Sequence, residues 1–309
     1  MDIGLFQKII DKIVHDCQSR REDFIVNLYN WGEATLHPQI NEICDILSAR
    51  RIAFHISSNM NTEMSFAHIV KAAGLRISLS GFTNDVYQKS HVGGDVNLVI
   101  SNLYRLRHTI DRHRSKVIVD VHYHIYKDNC DDRMITLAKL ARELGYQFSF
   151  AYAKLGPIEK LIDYMEGSPR FTDRDRETMR RMLLPIEETL AVSMQAGYRE
   201  CLLKAEQMAI NFDGSVAVCC GVFDPINNVA DSFLDVSHEE LQRRKMEMSI
   251  CKKCMQLGIA NSAVYLPRDL WEATVIRKQI EAGQKYVARM FSQPQIVEVI
   301  YSSTRAVSI

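Results

Sequence analysis

The chain has no excess of charge of either sign and no long apolar stretch. Its 309 residues include 38 basic and 38 acidic side chains, so the formal net charge is zero. Proteins that bind nucleic acid or an anionic membrane surface usually carry a basic excess, and we therefore expect neither partner. No run reaches the about 18 apolar residues that a membrane-spanning helix needs. Low-complexity segments and internal repeats are also missing from the sequence.

The N-terminus lacks the pattern of a secretory signal peptide. Asp2, Lys8 and Asp11 interrupt its apolar positions, which a signal peptide would keep continuous. Those apolar positions instead follow the spacing of an amphipathic helix: Phe6, Ile9, Ile10, Ile13 and Val14. Hydrophobic residues make up 47% of the chain, enough for a substantial core. We expect a cytoplasmic protein.

Strand-like and helix-like segments alternate through the first half of the chain. We predict strands at 24–28, 52–57, 75–80, 117–126 and 146–152, and helices at 38–49, 68–73, 96–113 and 133–144. Alternation at this spacing implies a parallel sheet with right-handed crossovers, which is an α/β fold.

Polar and glycine residues follow several of these strands. In a parallel sheet the ligand site lies at the carboxyl ends of the strands, so these residues are expected to share one rim. They are Gly32 and Glu33, then Ser57, Ser58 and Asn59, then Ser80 and Gly81, and finally Asn129.

The chain begins with a helix that has no strand before it, although a helix of a parallel α/β unit normally follows one. Either this helix packs across a neighbouring strand or a strand is missing upstream. Without that strand, the segment 24–28 would be an apolar edge.

The composition changes near residue 197, which divides the chain into a parallel α/β domain (1–196) and a small cysteine-rich α+β domain (197–309). Asp213-Gly214 between two strand-like runs predicts a hairpin. A last helix is predicted at 268–291.

Five of the eight cysteines lie in a window of 54 residues. In a cytoplasmic chain such clustering favours metal binding or redox chemistry over structural disulfides. Cys17 and Cys44, which lie elsewhere, are interpreted as buried hydrophobic residues. The clustered cysteines are Cys201, Cys219, Cys220, Cys251 and Cys254.

Several of these segments resemble the radical SAM enzymes. Trp31-Gly32-Glu33-Ala34 is similar to the Gly-Gly-Glu-Pro segment with which that family binds the methionine end of S-adenosylmethionine. LRISLSGFTNDVYQKSHVGGD resembles the family's fourth strand and the loop after it, and VHYHIYKDN resembles its fifth strand. The resemblance implies a partial (β/α)6-type parallel barrel whose first strand is missing. It also implies an S-adenosylmethionine site formed by Gly32, Glu33, Ser57, Asn59, Ser78, His91 and Asn129.

The cysteine-rich segment resembles the shortened SPASM, or twitch, extension of the same family. Cys201, Gly214 and Cys219 match C-x(9–15)-G-x4-C, and Cys251-x2-Cys254 follows. The resemblance implies one auxiliary [4Fe–4S] cluster held by Cys201, Cys219, Cys251 and Cys254, since four thiolates are its usual ligands. Cys219 and Cys220 should point to opposite sides of a strand, and the glycine spacing favours Cys219.

The motif that defines the family, C-x3-C-x2-C, does not occur in this sequence. The simplest explanation is a chain that begins after the true start, so we expect weak or absent S-adenosylmethionine binding and no catalytic cluster. The parent enzyme would cleave S-adenosylmethionine reductively to modify a peptide, a sugar or a small metabolite, with a reductant protein as a further partner.

Two other interpretations stay open. The same four cysteines could hold structural zinc in a non-catalytic binding module, although the eighteen-residue interval from Cys201 to Cys219 is longer than zinc sites usually show. A metal-free hydrolase could use Glu33, His37 and His91, but the sequence has no G-x-S-x-G motif. His122 and His124 alternate on the fourth predicted strand and could line the barrel interior.

Overall fold

A computed structural model describes residues 1–197, 200–291 and 295–298 of the chain. Its largest sheet has five parallel strands in the order β1-β2-β3-β4-β5. The strands are β1 (Val26–Asn27), β2 (Phe54–Ser58), β3 (Gly74–Ser78), β4 (Ile118–Ile125) and β5 (Gln147–Tyr152). This topology, with helices between the strands, confirms the predicted α/β partial barrel.

Helices cover the outer face of this sheet and continue beyond it. Those that precede or connect the strands are α1 (Ile3–Arg20), α2 (Ile40–Ala49), α3 (Asn84–Tyr87), α4 (Val96–His113) and α5 (Asp132–Glu143). After β5 come α6 (Ile158–Met165), α7 (Asp173–Arg181) and α8 (Ile186–Met194). Two short 3-10 helices, Ala34–Leu36 and Ile69–Lys71, follow β1 and β2. The second replaces the longer helix predicted at 68–73.

The sheet separates an apolar face from a polar one because side chains alternate along each strand. On β4, Val119, Val121 and Tyr123 are buried against the helices. Asp120, His122 and His124 alternate with them on the inner, half-buried face. The polar residues of the neighbouring strands lie at matching register on that face, which is the interior of the barrel.

The cysteine-rich region has its own small sheet and helices. Three antiparallel strands pair in the order β6 (Ala209–Ile210), β7 (Val216–Ala217) and β8 (Asn228–Ala230). The β6–β7 pair confirms the hairpin predicted at Asp213-Gly214, where Gly214 has a φ of +88° that favours glycine. The helices are α9 (Leu202–Glu206), α10 (His238–Glu247), α11 (Ser249–Gln256) and α12 (Ile259–Ala263).

The prediction of one helix over 268–291 is wrong in its second half. Helix α13 (Arg268–Glu281) ends two residues before Gly283, which takes a φ of +66°. The chain then forms β9 (Tyr286–Arg289), which pairs antiparallel with β10 (Gln295–Glu298). Trp271, Val275 and Ala288 from this segment pack in the same hydrophobic core as the barrel.

Two hydrophobic cores meet along helix α1. Phe6 and Ile10 belong to the core of the barrel, whereas Ile9 belongs to a second core built around the cysteine-rich region. The second core also receives side chains from α6 and α8, which precede residue 197. The division of the chain at residue 197 remains a prediction. Among the described residues, no helix combines the length and the hydrophobicity that a membrane span requires.

Candidate functional site

Glu33 connects the exits of the first two strands. It caps the 3-10 helix Ala34–Leu36, and its Oε1 accepts hydrogen bonds from the backbone N–H (3.0 Å) and the hydroxyl (2.6 Å) of Thr35. Its Oε2 accepts from the backbone N–H of Asn59 at 2.7 Å. The carboxylate therefore fixes the relative position of the β1 and β2 exits. Gly32 beside it is exposed, and a Cβ there would meet no atom within 4 Å.

The two serines at the end of β2 have different surroundings. Ser58 is buried, and its Oγ accepts from the N–H of Met60 at 2.9 Å and lies 3.4 Å from the Thr35 hydroxyl. Ser57, the residue predicted for the site, is half-buried and in register with Arg76 on the inner face of the sheet. Asn59 accepts from the N–H of Asn61 through its side-chain oxygen.

His91 lies beside the same rim and is held as a neutral ring. It stacks on Tyr87 with ring centroids 4.4 Å apart and an angle of 9° between the planes. Burial, reinforced by the nearby ring of His124, lowers the pKa of His91 to about 4. Gly81 permits this packing, since a Cβ there would lie 2.7 Å from the backbone nitrogen of Tyr87.

A hydrogen-bond chain crosses the inner face below this rim. His122 Nδ1–H donates to Ser149 Oγ at 2.7 Å, and Ser149 donates in turn to Asp120 Oδ2 at 2.8 Å. Burial and the neighbouring His124 lower the pKa of His122 to about 4. Ser78, a predicted site residue, is in register with His122 on the same face. No local pattern in the sequence signals Asp120 and Ser149, because their pairing depends on the register of β4 with β5.

The side chains of two polar residues that the sequence suggested for a site form hydrogen bonds with the backbone. Asn129 donates to the carbonyl oxygens of His124 (2.9 Å) and Ser80 (3.3 Å) and accepts from the N–H of Tyr126 (2.7 Å). Its side chain thus closes the turn after β4. His37, considered for a hydrolase, bonds the Met1 carbonyl through Nε2 and accepts from the N–H of Gln39 through Nδ1.

Trp31 joins the barrel rim to the cysteine-rich region. Its Nε1–H donates to the carbonyl oxygen of Val222 at 2.7 Å, and its ring contacts Phe223 edge to face at 5.7 Å. It also lines a cavity of about 210 Å³ that lies between the end of β5 and the cysteine-rich region. The rim residue next to Gly32 and Glu33 therefore forms part of the wall of that cavity.

Four cysteines from three separate segments line this same cavity. Cys201 precedes α9, Cys219 follows β7, and Cys251 and Cys254 lie on one side of α11, three residues apart. Cys220 is not among the residues that line it.

The surroundings of the thiols combine burial with positive charge. Burial raises the pKa of Cys219 to about 11 and that of Cys254 to about 12. The Cys219 sulfur accepts a hydrogen bond from the N–H of Gly221 at 3.4 Å, and a Cβ on Gly221 would collide with Ile158. Lys245 is fully buried within electrostatic range of Cys219 and donates to the Gln207 carbonyl at 2.6 Å.

The thiols share a cavity but are not gathered tightly. Within 1–197, 200–291 and 295–298, no three His, Cys, Asp or Glu side chains are grouped closely enough to hold a metal ion. A single zinc ion, with Zn–S bonds of about 2.3 Å, would require the four sulfurs to lie within about 4 Å of one another. The chemistry of the donor set, four thiols in one cavity, fits four-thiolate ligation.

Comparison with known proteins gives a likeness of fold. No protein-family model and no curated protein matches the chain. Streptococcus suis SuiB bound to precursor peptide SuiA matches with a TM-score of 0.50 and 14% identity, over 82% of this chain and 63% of SuiB. SuiB bound to S-adenosylmethionine matches with a TM-score of 0.49 and 15% identity, over 82% and 64% of the two chains.

A structure of anSMEcpe with bound AdoMet has a TM-score of 0.49 and 14% identity, over 90% of this chain and 89% of that one. This chain spans less than two thirds of SuiB. At such low identity, the match to peptide-bound SuiB shows the fold alone. The chain therefore shares the α/β partial-barrel fold of SuiB.

Proposed function

We propose that this chain is a radical SAM-type protein that holds one auxiliary [4Fe–4S] cluster at Cys201, Cys219, Cys251 and Cys254. The parent activity would be the modification of a peptide, a sugar or a small metabolite. The chain contains no C-x3-C-x2-C motif, so the proposal assigns it no cleavage of S-adenosylmethionine by itself.

The observation that carries the proposal is the convergence of the four cysteines. They come from positions up to 53 residues apart in sequence, yet all four line one cavity, while the adjacent Cys220 does not. The sequence pattern selected the same four. Burial raises the pKa of Cys219, Cys251 and Cys254, so the free thiols stay protonated and would lose their protons when they bind the cluster.

The spacing of the cysteines in the sequence favours a cluster over zinc. The eighteen-residue interval from Cys201 to Cys219 is longer than the short spacing that zinc sites usually show. The alternative, a non-catalytic binding module with a four-cysteine zinc site, would need these sulfurs to close to about 4 Å.

The barrel rim is proposed to bind S-adenosylmethionine weakly. Bound to a reduced catalytic cluster, S-adenosylmethionine supplies a 5′-deoxyadenosyl radical. In this chain Glu33 holds the Asn59 backbone in place, and His91 presents a neutral ring beside them. Gly32, Ser57, Ser78 and Asn129 complete the proposed site.

A peptide is the substrate class with the most support. The SuiB structure of similar fold is bound to its precursor peptide. The cytoplasmic location and the reductant protein expected from the sequence also belong to this proposal.

The test is the metal content of the purified chain. Anaerobic purification and reconstitution with iron and sulfide should give a brown protein with four irons per chain, measured by iron and sulfide analysis and by electron paramagnetic resonance after reduction. Cys254→Ser should lose most of that iron, whereas Cys220→Ser, the matched control on the neighbouring position, should retain it. A colourless protein with one zinc per chain, or equal iron in both variants, would overturn the assignment.

A further inference from the structure

Lys154 is a cation in the wall of the cysteine-lined cavity, and its side chain is exposed to solvent. It follows β5 and belongs to none of the segments that carry the cysteines. Among the described residues, no carboxylate oxygen lies within 4.0 Å of its Nζ. The side chain lies where the cavity opens to solvent. Desolvation by neighbouring protein atoms lowers the pKa of Lys154 from its usual value.

Aromatic side chains and one carbonyl hold the amine in position. The Nζ lies 3.4 Å from the centroid of the Tyr265 ring and 5.0 Å from that of Trp271. It also donates a hydrogen bond to the carbonyl oxygen of Ser262. Trp271 is itself fixed, because it is fully buried and its Nε1–H donates to Ser193 Oγ at 3.1 Å. An ammonium has three N–H donors, so this arrangement leaves capacity for a ligand.

The wall of the cavity carries positive charge that an anion could balance. Within the described part of the chain, its charged lining residues are Lys154 and Lys204, and no carboxylate lines it. Lys204 and Lys245 lie within electrostatic range of the thiols. The pKa of Lys154, in contrast, is lowered by desolvation without a contribution from a charged group. If the proposed cluster is bound, its four thiolates leave a net charge of about −2. The positive charges of Lys204 and Lys245 would balance that negative charge. The positive charge of Lys154 would then remain unbalanced.

We infer that Lys154 binds a carboxylate group of the substrate that enters the cavity between the barrel rim and the cysteine-rich region. An ammonium that lines an apolar cavity without a carboxylate can form a charge-assisted hydrogen bond with an anionic partner, which is stronger than a hydrogen bond between neutral groups. A peptide with a free carboxylate fits both this site and the proposed function, on which the identity of the occupant rests. Lys154 acts here as a binding residue.

The first test is protection of Lys154 from reductive methylation in the purified full chain, followed by peptide mass spectrometry. The probes are N-acetyl-Ala-Ala, its C-terminal amide, and S-adenosylmethionine, and the exposed Lys116 is the internal control. At about three times its Kd, the free acid should slow methylation of Lys154 about fourfold, by simple occupancy. The amide should have no effect, and Lys116 should react equally throughout.

Equal rates with the acid and the amide would overturn the inference. So would protection by S-adenosylmethionine alone, which would assign the amine to that cofactor. Because the wild-type chain is used, this test does not depend on a variant that folds. The methylation experiment is repeated before and after iron loading, which tests the carboxylate site separately from the cluster. A chain that binds no iron would defeat the proposed function, but N-acetyl-Ala-Ala should still protect Lys154.

The second test uses substitutions at the two lining lysines. Binding of N-acetyl-Ala-Ala is followed by tryptophan fluorescence, because Trp31 lines the cavity and Trp271 lies beside the amine. Lys154→Met should abolish the response and Lys154→Arg should restore most of it. Lys204→Met, the matched control in the same cavity, should bind the peptide within about threefold of wild type. Unchanged binding in Lys154→Met, with an unchanged melting temperature, would refute the inference.

Discussion

Mild acid should destabilise the barrel through the histidines of its inner face. Burial and the neighbouring His124 lower the pKa of both His91 and His122 from 6.5 to about 4. The folded chain therefore keeps these rings neutral at pH values where the unfolded chain protonates them. Their contribution to stability is complete above about pH 6.5 and is lost progressively as the pH falls towards 4.

The size of the loss follows from the two pKa values. At about pH 5 each ring costs up to about 2 kcal/mol, at about 1.36 kcal/mol per pH unit below 6.5. Both side chains are half-buried, so solvent reduces the loss below its upper limit, and we expect a total loss of about 1–3 kcal/mol for the pair. That is a large share of the free energy of unfolding of an ordinary domain, which is roughly 5–15 kcal/mol.

Urea unfolding at about pH 7.5 and pH 5, followed by circular dichroism, measures the effect. Carboxylates with lowered pKa values, such as Asp45 and Asp175, lose their contribution only near and below 3.8, outside this range. His122→Asn keeps a donor for Ser149 and cannot titrate, so it should recover about 1–2 kcal/mol of the loss. His113→Asn, at an exposed position, should recover none. A wild-type chain as stable at pH 5 as at pH 7.5 would refute the reasoning.

Three further outcomes are expected. Gly81→Ala should lower the free energy of unfolding by about 1–3 kcal/mol in urea titrations, because the new Cβ would lie 2.7 Å from the Tyr87 nitrogen; no loss would show that the turn adjusts. Trp271→Ala should cost about 3–5 kcal/mol, because the ring is fully buried in the barrel core, and a loss below about 1 kcal/mol would contradict that packing. Gly221→Ala should reduce iron retention after anaerobic gel filtration relative to wild type, because its Cβ would displace Ile158 and disturb the hydrogen bond to Cys219; full retention would show that this turn is not needed.

Local signals in the sequence predicted most of the barrel. The bounds of α4, Val96–His113, are confirmed at both ends, because Asp95 caps the first turn and Arg114 leaves the helix in a left-handed conformation. The parallel order of the strands followed from the alternation of strands and helices. The helix predicted over 268–291 is wrong beyond Glu281, since the apolar residues after Gly283 fit a buried strand as well as a helix.

The polar interior was harder to predict because it depends on register. Ser57 and Ser58 are adjacent in sequence, yet only Ser58 bonds the backbone beside Glu33, and a single position along β2 decides which face each occupies. Asp120 and Ser149 meet only because β4 and β5 pair as they do. Lys154 had no local signal either, since the rings that hold it come from more than 100 residues downstream.

The cavity is lined both by residues that the sequence pattern predicted for a site and by residues that depend on the tertiary structure. Its walls combine Trp31 and Lys154 from the barrel rim with the four cysteines of the second core. Helix α1 packs in both cores, and Trp31 hydrogen-bonds across to Val222, so the two regions are connected at two places. A group held by the cysteines would share the cavity with Trp31, which follows β1, and with Lys154, which follows β5. A substrate carboxylate bound to Lys154, as proposed, would then lie in the same cavity as that group.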